Sequence, residues 1–158
     1  MENAPPVPPP LSPYLTVANA SAAIEFYERA FGAKLVARHD TPDGKKIMHA
    51  ALALSNGGTF MLCDDFPEMS GGKARDPNTL GNSPVTLHLD LPDVDTVWKL
   101  AVDAGAQVTM PLADMFWGDR YGQLVDPFGH RWSLATRKKQ ASEPELRAGA
   151  EKHFPAKS

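Results

Sequence analysis

The densest run of recognition chemistry in this chain is Phe116-Trp117-Gly118-Asp119-Arg120-Tyr121. Its aromatic faces offer apolar contact, its glycine allows a sharp bend, and the Arg120 guanidinium is a planar fork that fits a carboxylate or phosphonate-like group. The same residues have a structural reading, in which Arg120 pairs internally with Asp119 or Asp126 beneath an aromatic plug. His49 and His88 come next, because a neutral imidazole can donate and accept at once, which suits polar ligand recognition as well as proton transfer. The plainer reading of each is a partly buried histidine bonded to a strand neighbour. A nucleophilic Cys63 would need one of these histidines as its base. Nothing in the sequence brings them together, and a buried thiol is the simpler reading. The chain has no Gly-rich phosphate loop, no Cys-x-x-Cys pair and no His-Glu-x-x-His helix, so catalysis finds little positive support.

These side chains sit on a regular succession of elements. Tyr14 to Ala18 reads as a strand, and Asn19 or Ser21 can cap a helix in which Ala23, Ile24, Tyr27 and Phe31 share one apolar face before Gly32 ends it. Lys34 to His39 is a second strand, joined through Pro42-Asp43-Gly44 to a third over Ile47 to Leu54. In that third strand Met48, Ala50, Leu52 and Leu54 form an apolar row, while His49, Ala51 and Ala53 form a row of smaller residues on the other side. Asn56-Gly57-Gly58 turns the chain into a fourth strand, Thr59 to Cys63. Val85 to Leu91 then opens a second set. A helix capped by Asp93 runs to Ala104, and strands follow over Gln107 to Met110, Tyr121 to Val125 and Trp132 to Ala135. Asp126-Pro127-Phe128-Gly129 reads as a turn, with His130 and Arg131 in structural roles.

The two sets repeat one another. Leu15 to Glu25 runs parallel to Leu89 to Lys99, 74 positions later, and each leads into a helix that stops at a Gly-Ala pair. Residues 1–12 are expected to form a Pro-rich, poorly ordered arm, residues 13–64 the first βαβββ unit and residues 85–136 the second. Residues 65–84, rich in Gly, Pro and Asn, read as a surface linker. In residues 137–158, Ser142-Glu143-Pro144-Glu145 has the makings of a cap for a short tail helix. With 16 Lys plus Arg against 19 Asp plus Glu, and the basic residues scattered, nucleic acid is not an expected partner. Nor is a membrane, since the longest apolar runs are far too short to span one. No basic, apolar-cored leader is visible and a lone cysteine excludes an internal disulfide, so a cytoplasmic location is expected.

Two strand-helix-three-strand units with Asp126-Pro127-Phe128-Gly129-His130 before the last strand resemble the vicinal oxygen chelate superfamily, the group of glyoxalase I, extradiol dioxygenases, and bleomycin and fosfomycin resistance proteins. Ala23-Ile24-Glu25-Phe26-Tyr27, Ala30-Phe31-Gly32-Ala33, Met48-His49-Ala50, Phe116 to Arg120 and the run Asp126 to Thr136 look like its PhnB-like branch. The resemblance implies an α+β fold in which tandem βαβββ units form a cup-shaped mixed β-sheet, here followed by a short C-terminal helix. It also implies paired halves that enclose a cavity, often across a homodimer. In the metal-dependent members four inward His or Glu side chains, from the first and last strand of each unit, hold a divalent ion. Carried onto this chain, those positions fall on Ser12, on one of Leu62, Cys63 and Asp64, on Thr86, and on Ser133. Ser12 and Thr86 are themselves 74 residues apart, in register with the repeat. Hydroxyls are weak donors to a divalent metal at neutral pH, and the family's metal site reads as dismantled.

Two functions are compatible with these residues. In the preferred reading, a homodimer binds a small, partly aromatic organic molecule without a metal or other cofactor. Tyr14, Phe60 and Trp117 would line the site, and His49, Thr86, His88, Arg120 and Ser133 would orient the ligand. Whether Phe60 faces the ligand hangs on strand parity. In the alternative, a rearranged set of His49, Cys63, Asp64 and His88 holds one divalent metal such as Zn, Ni, Mn or Fe. That metal would polarise vicinal oxygens of a substrate in a lyase, isomerase or dioxygenase reaction.

Overall fold

A computed structural model of the chain describes residues 9–155, so residues 1–8 of the Pro-rich arm lie outside the described residues. The fold divides between Gly81 and Asn82 into two compact units, each built on its own four-stranded mixed sheet. The first contains β1 (Tyr14–Val17), α1 (Ala20–Phe31), β2 (Lys34–Asp40), β3 (Ile47–Ala53) and β4 (Thr59–Asp64), with strand order β1-β4-β3-β2. β1 runs parallel to β4, which the helical crossover allows, and the other pairs are antiparallel. Asn19, rather than Ser21, caps α1, its side-chain oxygen accepting from the Ala22 amide at 3.0 Å. The buried face of α1, including Ala23, Ile24, Tyr27 and Phe31, lies against Leu15, Val17, Leu52, Phe60 and Leu62 in one apolar core. Residues 65–81 are not all irregular: they hold a 3-10 turn, Pro67–Met69, and a four-residue helix α2, Pro77–Leu80.

The second unit repeats this plan with β5 (Thr86–Asp90), α3 (Val94–Asp103), β6 (Gln107–Asp114), β7 (Asp119–Val125) and β8 (Arg131–Arg137), in the order β5-β8-β7-β6. Its core is built on Leu89, Val94, Ala101, Leu124, Trp132 and Leu134. β6 reaches four residues beyond the expected Met110, carried past Pro111 by register shifts that keep the prolyl nitrogen out of the ladder. β7 starts at Asp119, so the aromatic loop is a tight turn at residues 115–118 with Arg120 and Tyr121 already on a strand. α4 (Glu143–His153) closes the chain, started by a full capping box between Ser142 and Glu145.

The duplication extends to a device that polarity patterns do not show. In the first unit the Asp64 carboxylate at the end of β4 accepts from the Ala20 amide at 2.8 Å, securing the first turn of α1. In the second, Thr136 Oγ1 near the end of β8 accepts from the Val94 amide at 2.9 Å and does the same for α3. Ala20 and Val94 are again 74 residues apart. Each sheet thus supplies an acceptor to an otherwise unpaired helix N–H.

Candidate functional site

Strand parity decides which side chains are available for chemistry. In the second unit Leu87, Leu89, Trp132, Leu134 and Leu124 belong to the α3 side of the sheet, so their alternating neighbours face the other way. His88, Ser133 and Gln123 lie side by side across β5, β8 and β7, with Tyr121 two residues along. The His88 ring is 2.8 Å from Ser133 Oγ through Nδ1 and 3.4 Å from Asp90 through Nε2. With Asp90 accepting at Nε2, Nδ1 is left to accept from the Ser133 hydroxyl. Gln123 Nε2 donates to the Tyr121 hydroxyl at 2.8 Å. The Tyr121 ring stacks on His88 at 6.2 Å between centroids and meets the Trp117 ring edge-on at 5.4 Å. Ser133 is buried while His88 is 42% exposed, so the imidazole is held through both nitrogens and still has an accessible surface.

The first unit presents a related pair with the identities exchanged. Tyr14 on β1 occupies the place that His88 takes on β5, 74 residues earlier, and His49 on β3 the place of Tyr121 on β7. The Tyr14 hydroxyl lies 2.9 Å from His49 Nδ1, and the His49 ring stacks on His39 at 5.9 Å. Cys63 belongs to the same face as Tyr14 and Thr16, in a cavity of about 250 Å³ whose lining also includes Phe66, Met69 and Arg75. Burial pushes the Cys63 thiol up from its ordinary value, against a hydrogen bond from Thr16 that pulls the other way. It therefore stands as a thiol at neutral pH, which is poor preparation for a nucleophile. Burial and the neighbouring Cys63 also raise the Tyr14 phenol, so its hydroxyl remains protonated.

Several expected site residues lie elsewhere. Phe60 is in the core, edge-on to Tyr27 of α1 at 5.1 Å, because it shares parity with Leu62. Arg120 is on the α3 side of its sheet, where Nε and Nη2 form a fork on the Asp95 carboxylate at 2.8 to 2.9 Å and Nη1 reaches Asp114 at 3.3 Å. Hydrogen bonding from Arg120 holds the Asp95 carboxyl below its ordinary range. The expected pairings with Asp119 and Asp126 are not made. Asp119 approaches Arg137 at 3.5 Å, and Asp126 accepts from the Phe128 and His130 amides and from the Trp132 indole. Thr86 is exposed opposite Arg131, and Ser12 donates to the Pro9 carbonyl at 3.4 Å. Gln123 is a residue that the sequence reading leaves out, and Tyr121 enters that reading only as the end of the 116–121 run. The alternation Tyr121, Gln123, Val125 against Gly122, Leu124 is the signal that would have found them.

Among the described residues, the donors at the expected positions are a poor fit to a divalent metal. Asp64 faces the core, where its two oxygens accept from the Ala20 and Ile47 amides, so it cannot act beside Cys63 on the opposite face. Ser133 is hydrogen-bonded to His88, and Thr86 adds only another hydroxyl. Among the described residues no three His, Cys, Asp or Glu side chains are grouped as a metal would require.

Duplicated βαβββ units, each built on its own four-stranded mixed sheet, define a glyoxalase-type α+β protein. The chain belongs to the Glyoxalase/Bleomycin resistance protein/Dioxygenase superfamily, whose family model matches residues 11–134. An uncharacterized protein of Mycobacterium tuberculosis is 49% identical over 142 residues, covering 90% of this chain and 82% of that protein. TioX from Micromonospora sp. ML1 shares 26% identity at a TM-score of 0.58, over 78% of this chain and 94% of that one. A PhnB protein from Bacillus cereus has the same fold, with 20% identity and a TM-score of 0.61 over 81% of this chain and 99% of that one.

Proposed function

We propose that the protein binds a small, partly aromatic organic molecule, and that the open strand face of the second unit is where the molecule is held. The observation that carries this is the run of rings Trp117, Tyr121 and His88 beside the Ser133 and Gln123 polar groups. Rings supply contact area, and a fixed imidazole and amide supply direction, the usual division of labour in a ligand site. His49 and Tyr14 are the corresponding recognition groups of the first unit. Arg120 and Phe60 drop out of the ligand set, since each is committed to its own structural contacts. A homodimer in the cytoplasm is part of the same proposal. It is supported by exposed apolar side chains such as Tyr14, Val36 and Met48 on the first sheet, and by a single cysteine.

A thermal-shift screen of planar aromatic compounds bearing carboxylate, amide or hydroxyl groups tests the site. A compound that raises the melting midpoint of the wild-type chain should lose that effect in Trp117→Ala and in His88→Ala, and keep it in Arg120→Ala. Retention of the shift in both Trp117→Ala and His88→Ala would remove this face from the proposal.

A further inference from the structure

The ring series does not end at Trp117. Phe116 meets Trp117 edge-on at 5.1 Å and lies against His153 of α4 at 4.9 Å, so an unbroken line of rings runs His153, Phe116, Trp117, Tyr121, His88 within the second unit. Two glycines make this seating possible. A Cβ at Gly149, in the middle of α4, would overlap the Phe116 ring, so the weak helix former at that position is what lets the ring reach the helix backbone. At the other end of the turn, a Cβ at Gly118 would collide with the Lys139 carbonyl. The Lys138 and Lys139 amides both donate to the Gly118 carbonyl, at 2.9 and 3.0 Å. The chain leaving β8 therefore clips one side of residues 115–118 and α4 bears on the other. Yet no residue of α4 is buried, and its N-terminus is held by exposed groups, the Ser142 cap and the Lys139 to Glu145 ion pair. A turn with half-buried Met115, Phe116 and Trp117 and a buried Gly118 is thus secured by a lightly held helix.

We infer that α4 is a detachable strap: its seating on Phe116 sets Trp117 against Tyr121, and its release frees the turn and changes access to the His88 face. Which molecule is admitted rests on the binding proposal above, but the strap itself can be read without any ligand. Hydrogen exchange on the full chain supplies the measurement, with two variants that release α4 by different routes. Gly149→Leu puts a side chain where Phe116 sits, and Ser142→Ala combined with Glu145→Ala removes the capping box without touching the ring. In both, the amides of Met115, Gly118, Lys138 and Lys139 should exchange about tenfold faster or more, while those of β7 and β8 keep their protection. The emission assigned to Trp117, taken as the difference from Trp117→Phe in each background, should move to the red. Phe116→Leu should restore part of the protection that Phe116→Ala loses. If α4 amides lose protection while residues 115–118 and the Trp117 emission stay as in the wild type, the strap is overturned. Should no aromatic compound bind, the binding proposal falls and these readouts still decide the strap. Should a compound bind equally to wild type and to both released variants, the gating part of the inference falls.

Discussion

Asp126 illustrates how much one buried side chain can organise. Its Oδ1 accepts from the Phe128 and His130 amides at 2.9 and 3.0 Å, and its Oδ2 from the Trp132 indole at 2.8 Å. Removing the carboxylate takes an acceptor from three donors, one of them on Trp132, the largest fully buried side chain among the described residues. Asp126→Ala should therefore destabilise the chain by roughly 2 to 4 kcal/mol, read as a lower urea midpoint. A loss under half a kcal/mol would mean that water replaces these bonds freely. The motif Asp-Pro-Phe-Gly was legible as a turn, because its residue types act locally. The indole bond was not, because the partner reaches back from inside the next strand. Arg120 shows the same limit more sharply. Its residue type announces a fork, but its partner Asp95 is 25 positions away on a helix.

At the scale of elements, the paired helix-securing acceptors Asp64 and Thr136 call for comparison. Thr136→Val keeps the shape of the side chain but takes the acceptor from the Val94 amide, and should cost about 1 kcal/mol, the usual worth of a helix N-terminal partner. Equilibrium urea unfolding checks it, and an unchanged midpoint would show that the first turn of α3 needs no such support. α4 should respond to acid. The hydrogen bond from Lys139, with further bonds from Ser142, lowers Glu145 from 4.5 to about 2. A carboxyl depressed on folding stabilises the helix above its unfolded value, so this contribution is complete above about pH 4.5 and disappears as the pH falls towards 2. Amide exchange across residues 143–153 should rise over that interval, and Glu145→Gln should flatten the dependence. Helix starts were legible at Asp93 and Ser142, and to within two residues, Asn19 or Ser21, for α1, because a cap acts within three residues of itself. The length of β6 was not, since Pro111 reads as a stop unless a bulge is known to carry the strand past it.

For the whole molecule, the homodimer proposal has a direct test: sizing at micromolar concentration should give twice the 17.1 kDa chain mass, and a single-chain mass would remove it. Among the described residues no helix is long and apolar enough to cross a membrane, consistent with the shortness of the apolar runs. The tandem units were legible in the sequence because the first strand, the helix cap and most of the helix recur at a 74-residue offset that shortens to 73 at the Gly-Ala pair, and each of those signals acts over a few neighbouring residues. At three of the four ligand positions that the family resemblance implies, Ser12, Thr86 and Ser133, the sequence carries hydroxyls. Only the tertiary structure decided that Phe60 belongs to a core and Tyr121 to an open face, that Arg120 serves α3, and that Asp64 turns away from Cys63. The physical reason is the two-residue period of a strand: a shift of one position exchanges its faces, and sequence reading places strand ends no better than that. Which partner a side chain meets then depends on register between segments 25 to 45 residues apart, and that register is set by packing rather than by any local preference.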